Sequence, residues 1–284
     1  MKQFIRILTW LAIMAVLTLI AMAVWALVFH SSQSTESLKW LQFLQTLGTF
    51  LLPPVFCALI WDSAHKPFTW LKMDKGANWH TFVMAIVIMI CAIPAINLLA
   101  DLNSRVDLPE SLDFIEKKMR AMEDAATALT AQFLQADNFG TLLINIGLLA
   151  LLPALAEELS FRGTLQQVLG NKHVAIWVTA FIFSAIHMQF YGFVPRMLMG
   201  AMFGYVFVWT GSLWVPIVMH FTNNGLAVLA YYIWGMDGTE KSYADTIGAG
   251  TTWWLGVISL ITVIVLLFFT YQGQRGYDRR THKE

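Results

Sequence analysis

Eight blocks of apolar sequence, at residues 4–29, 38–61, 80–100, 139–169, 173–190, 194–211, 213–234 and 251–271, decide most of what this chain can become. A helix needs about 20 predominantly apolar residues to cross the hydrocarbon core of a bilayer. Inside lipid every backbone N–H and C=O must find its partner within the protein, which helices achieve locally. The expected fold is therefore all-α, a polytopic membrane bundle of about eight transmembrane helices. Composition agrees, with 57% hydrophobic and only 13% charged residues, where a soluble domain carries about 25% charged. Blocks 173–190 and 194–211 are the shortest and most closely spaced. The first block follows Lys2 and Arg6 but is far longer than a signal-peptide core of roughly 7–15 residues, so it reads as a retained anchor. A formal net charge of zero leaves no electrostatic footprint for nucleic acid; membrane lipid is the expected surrounding. Cys57 and Cys91 fall in apolar blocks and read as small buried hydrophobes.

Lys and Arg in short loops set the orientation of membrane helices. Lys66, Lys72, Lys75, Lys172, Arg275, Arg279, Arg280 and Lys283 fall on the side of the N-terminus if there are eight spans. The acidic 101–138 segment and Asp237, Glu240 and Asp245 fall opposite, with Arg196 as the exception. Both termini are expected to be cytoplasmic, in a bacterial inner membrane. Between Pro109 and Asn138, Leu112, Ile115, Met119, Met122, Ala126, Leu129 and Phe133 recur in steps of three and four. That spacing predicts one amphipathic extramembrane helix, packed on the bundle or lying in the outer interface. The chain divides into N-terminal helices and this insert (1–138), a central core (139–235), and a last helix with a basic tail (236–284).

Glu157, Glu158 and Arg162 interrupt the fourth apolar block. A charge near the bilayer centre costs roughly 2.5–3.5 kcal/mol on insertion scales, so it persists where it pairs, lines water or reacts. Residues four apart share a helix face, which makes Glu158 and Arg162 an ion pair with glutamate first, the favourable order. Glu157 points about 100° away, and one arginine cannot cancel two carboxylates. A carboxylate left over in this way suits a general base. His187 and His220 are the two histidines well inside predicted spans. Asn224 stands one turn beyond His220, and together they offer two neighbouring donors for a developing oxyanion. Asn223 projects elsewhere, Asn145 is assigned no role, and Phe183 reads as a packing ring. For Glu157, His187 and His220 to meet, the fourth helix must run on to about Gly170, which places Gly163 and Gln166 inside the bundle.

These residues resemble the CPBP family, which unites CAAX-processing proteases and bacteriocin-immunity proteins. Its Glu-Glu-x-x-x-Arg motif is matched by Glu157, Glu158 and Arg162, its Phe-x-x-x-His motif by Phe183 and His187, and its His-x-x-x-Asn motif by His220 and Asn224. The three occur in the family's order, over about residues 139–235. The resemblance implies an intramembrane endopeptidase acting on membrane-associated, including lipidated, peptides. By analogy Glu157 and His187 activate water, His220 and Asn224 hold the oxyanion, and Glu158 and Arg162 fix the site. Metal-free glutamate chemistry is favoured. Zinc on Glu157, His187 and His220 is the alternative, since two histidines and a carboxylate make a catalytic zinc set. A non-catalytic immunity or partner protein and a proton-coupled transporter are the competing functional classes; no inverted repeat supports the last.

Overall fold

The computed structural model describes residues 1–62, 64, 66–170, 172–235 and 246–281, with side chains described to residue 274. The expected acidic loop residues Asp237, Glu240 and Asp245, together with His65, His282 and Lys283, lie outside the described residues, as do the side chains of Arg275, Arg279 and Arg280. Among the described residues there is no strand. Nine helices longer than ten residues are present among them: α1 (Lys2–Phe29), α2 (Thr35–Trp61), α3 (Trp79–Ser104), α4 (Asp113–Leu134), α5 (Phe139–Gln166), α6 (Lys172–Ala185), α7 (Phe193–Thr210), α8 (Trp214–Trp234) and α9 (Trp253–Thr281).

Six helices, counting the turns that lead into α7 and α9, are long and apolar enough to cross a membrane. They are α1, α2, α3, α5, α7 and α9, and the protein is an integral multi-pass membrane protein. The other two expected spans fall short for different reasons. Helix α8 has the length, 21 residues, but its run of His220, Thr222, Asn223 and Asn224 dilutes its apolar character. Helix α6 has the character but only 14 residues. The expectation of a span over 173–190 is corrected here, because α6 stops at Ala185 and Met188 turns the backbone to φ 55°. At 1.5 Å per residue α6 is about 21 Å long, short of a hydrocarbon core of about 30 Å.

Helix α5 runs through the positions of Glu157 and Glu158 and stays helical to Val168, ending at Gly170 with φ 78°. The expected extension is present, and Gly163 and Gln166 are buried in the bundle. Two π-helical segments, Ile146–Leu151 and Phe161–Gln166, bracket the α-helical turns that carry the glutamates. Such widened turns recur at functional sites, where they shift the register of the side chains that follow. Helices α3 and α9 pack side by side. Pro94 sits inside α3, and Ser259 of α9 inserts next to it, donating to the Cys91 carbonyl and accepting from the Ala95 N–H. A serine hydroxyl thus takes up backbone groups that the disturbed ladder releases.

The amphipathic segment forms α4 as expected, but it is less buried than its stripe suggested. Phe133 is buried, Met119, Met122 and Ala126 are half-buried, and Leu112, Ile115 and Leu129 are exposed. Its anchoring is largely polar. The Tyr191 N–H donates to Glu123 Oε2 at 3.2 Å, the Arg120 guanidinium stacks 4.5 Å over the Tyr191 ring, and Gln132 donates to Thr35 Oγ1 at 2.6 Å. α4 therefore straps the Phe190–Gly192 turn to the start of α2.

Candidate active site

The deepest charged group is Arg162, fully excluded from solvent together with Glu158. Its Nη1 donates to Glu158 Oε1 at 2.8 Å and its Nη2 to the Gly200 carbonyl at 2.8 Å. The rings of Phe183 and Phe203 face the guanidinium at 4.8 and 5.4 Å. A desolvated cation over aromatic faces gains about 2 kcal/mol or more. Phe183 is thus a packing ring, as read from sequence, and also part of the cation's cage. Glycine at 200 eases a close approach: a Cβ there would stand 3.2 Å from Arg162 Nη2 and 3.3 Å from Ala180 Cα, tighter than an ordinary contact. One turn on, Gln166 Nε2 donates to the Gly204 carbonyl at 3.1 Å. The Gly200-x-x-x-Gly204 spacing, a small-residue seam of membrane helices, is the signal that could have revealed this contact from sequence.

His220 links the anchor to the second carboxylate. Its Nδ1 lies 2.9 Å from Glu158 Oε1 and its Nε2 lies 3.9 Å from Glu157 Oε2. A carboxylate already receiving an arginine N–H can only accept, so Nδ1 carries the proton and Nε2 is presented to Glu157. This is the orientation device of metal and hydrolytic sites, in which one ring nitrogen is fixed so that the other acts. Among the described residues no hydrogen bond holds the Glu157 carboxylate. Its side chain is 14% exposed, against 0% for Glu158 and Arg162, so Glu157 is the less enclosed of the two carboxylates. The separation of 3.9 Å is beyond a direct hydrogen bond, the range in which an intervening water is to be considered.

His187 lies two residues past the end of α6 and is half-buried. Its Nδ1 donates to the Phe183 carbonyl at 2.7 Å, which leaves Nε2 as the lone-pair nitrogen of a neutral ring. Its ring packs on Phe183 at 5.1 Å, and the His220 ring packs on the same Phe183 at 6.0 Å. Asn224 donates to the Leu149 carbonyl over a long 3.4 Å and accepts from Asn223 Nδ2 at 3.1 Å. Asn223, read as projecting elsewhere, therefore touches Asn224. Arg196, placed by sequence near an outer boundary, is half-buried and donates to the Gln189 carbonyl and to Gln189 Oε1 at 3.3 and 3.0 Å. It thereby braces the turn that follows His187.

The structure thus brings Glu157, Glu158, Arg162 and His220 into one connected cluster, with His187 joined to it through Phe183 and Asn224 close along α8. Among the described residues no three His, Cys, Asp or Glu side chains stand together as they would around a metal ion. The Nδ1 atoms of His187 and His220 are both engaged by protein oxygens, which leaves both Nε2 atoms open. As placed, the residues do not form the three-ligand zinc set considered from sequence, and no step below is routed through a metal.

Residues 139–226 match the model of a family described as Rce1-like, type II CAAX prenyl endopeptidase Rce1-like. The resemblance drawn from the three motifs is therefore shown over that segment. A curated relative is the uncharacterized protein YpbD of Bacillus subtilis (strain 168), 36% identical over 81 residues, which are 27% of this chain and 40% of that protein. The chain thus spans well under half of the length of the curated relative it matches. No solved structure matches this chain.

Proposed function

We propose that this protein is an intramembrane endopeptidase that hydrolyses peptide bonds of membrane-associated substrates, with Glu157 as the general base. The observation that carries the reading is the asymmetry of the two neighbouring glutamates. Glu158 is spent on Arg162 and His220, while Glu157 faces His220 Nε2 across 3.9 Å with no hydrogen bond of its own among the described residues. A water seated between them gives a proton to Glu157 and attacks the carbonyl carbon. The carbonyl π pair moves onto oxygen, and the Asn224 amide donates to that oxyanion by releasing its long bond to Leu149. As the C–N bond breaks, the departing nitrogen takes the proton from Glu157 directly or through His187 Nε2. Glu158 and Arg162 act by holding the His220 ring. A donor aimed at developing charge in a dry site is worth about 2.7–4 kcal/mol of barrier. The family description names prenylated CAAX substrates, and lipidated peptides are the finer substrate class we assign.

A cleavage assay on a membrane-tethered peptide tests this. Glu157→Gln is expected to lower the rate at least about 10²-fold, as loss of a general base does, while the variant folds and inserts normally. A strong chelator is expected to leave the wild-type rate unchanged. Full activity in Glu157→Gln would refute the assignment.

A further inference from the structure

A cavity of about 980 Å³ lies between α2, the end of α4 and the stretch of α5 from Thr141 to Leu155. Its lining runs from Thr35, Glu36 and Asp137, at the starts of α2 and α5, along those helices to Leu148 and Leu152. Lys39 stands in it, one turn inside an apolar block. Its Nζ is held 2.7 Å from Asn145 Oδ1. Asn145 is fully buried, and its amide donates to the carbonyls of Leu134 and Gln135 at 3.1 and 3.4 Å. The two carbonyls dictate which end of the amide faces the lysine. An amide oxygen fixes an ammonium in place without cancelling its charge. Among the described residues no carboxylate comes within 4.0 Å of Lys39, although Glu36 and Asp137 line the same cavity nearer the starts of α2 and α5.

We infer that this groove is a phospholipid site that selects a zwitterionic ethanolamine headgroup. The lipid phosphate seats on Lys39, the primary ammonium reaches Glu36 and Asp137, and one acyl chain lies along the apolar wall of α5. The charge order discriminates against anionic headgroups, and the N–H donors of a primary ammonium, which choline lacks, discriminate against choline. One cation with two carboxylates farther out suits a phosphate followed by an ammonium, and it repels a headgroup that is anionic overall. The stretch from Thr141 to Leu155 is about 21 Å of helix, room for one chain. The volume is at the upper end of small-molecule sites, about 300–1,000 Å³. Nothing in this inference depends on the peptidase reading, because none of these side chains belongs to the glutamate cluster.

Native mass spectrometry of the detergent-purified full chain, titrated with ethanolamine, glycerol and choline phospholipids of identical acyl chains, tests it. One ethanolamine lipid per chain is expected to be retained preferentially. Lys39→Met is expected to weaken its binding about tenfold, the loss of one charge-assisted hydrogen bond. Gly147→Trp, at a position where an added Cβ meets nothing within 4 Å, is expected to fill the groove and exclude the lipid with an unchanged melting temperature. Glu36→Gln combined with Asp137→Asn is expected to move the preference toward the glycerol lipid. Equal retention of the three headgroups by wild type, undiminished binding in Lys39→Met or Gly147→Trp, or displacement of the lipid by an acylated peptide would each overturn the inference.

Discussion

Among the cations of the helical bundle, Arg162 and Lys39 have surroundings that differ in every respect. Arg162 is sealed: it has a carboxylate, a backbone carbonyl and two aromatic rings around it, and no exposure. Lys39 is half-buried, holds one neutral amide oxygen and borders a large cavity. A buried charge held by a carboxylate, a carbonyl and two rings, with only its Nε left without a partner, serves architecture. A charge held in position but not cancelled keeps its attraction for an incoming anion. The same contrast repeats in the acids, where Glu158 belongs with Arg162 and Glu157 with Lys39.

The sharpest way to break this comparison is to remove the sealed cation. Arg162→Met leaves Glu158 buried without its partner, which costs about 3–5 kcal/mol, and should appear as loss of folded protein in a detergent melting assay. Next comes the seam that lets α7 approach. Gly204→Ala places a Cβ 2.7 Å from Gln166 Oε1 and 3.0 Å from Ile176 Cγ2, an overpacking expected to cost about 1–3 kcal/mol and to be read as a lower melting temperature. Lys39→Met leaves the buried Asn145 Oδ1 without its donor, a loss of about 1–3 kcal/mol, and should lower the melting temperature less than Arg162→Met does in the same assay. A melt as low as that of Arg162→Met would erase the distinction between the two sites. The smallest effect belongs to α4. The Leu108 N–H and the Arg120 guanidinium hold the Glu116 carboxyl below the usual glutamate range. A depressed acid contributes stability above its unfolded pKa and loses it as pH falls through the folded one. Limited proteolysis should therefore cut the 105–112 segment faster in acid than at neutral pH, relative to a Glu116→Gln control that shows no such change.

Local spacing made half of the site readable. The four-residue step from Glu158 to Arg162, the divergence of Glu157, and the need for α5 to reach Gly170 all follow from helical geometry, and all are present. What stayed hidden depends on contacts distant in sequence. The chain from Ile186 to Tyr191 remains largely apolar, so hydropathy carries α6 past its true end. The break is set by Asn103, whose amide donates to the Phe190 carbonyl and whose Oδ1 accepts from the Val194 N–H. Likewise, the bridging position of His220 depends on how α8 crosses α5, which no pattern within α8 encodes. Asn145, assigned no role from sequence, orients Lys39 from 106 residues away.

The shortness of α6 has a consequence for the surrounding membrane. A segment about 9 Å shorter than the hydrocarbon slab creates a hydrophobic mismatch that lipids meet by locally thinning. Thinning there would bring the polar backbone of the 186–192 turn closer to water. On the peptidase reading proposed above, cleavage should depend on acyl-chain length in the host bilayer, with thicker membranes starving the interior of solvent.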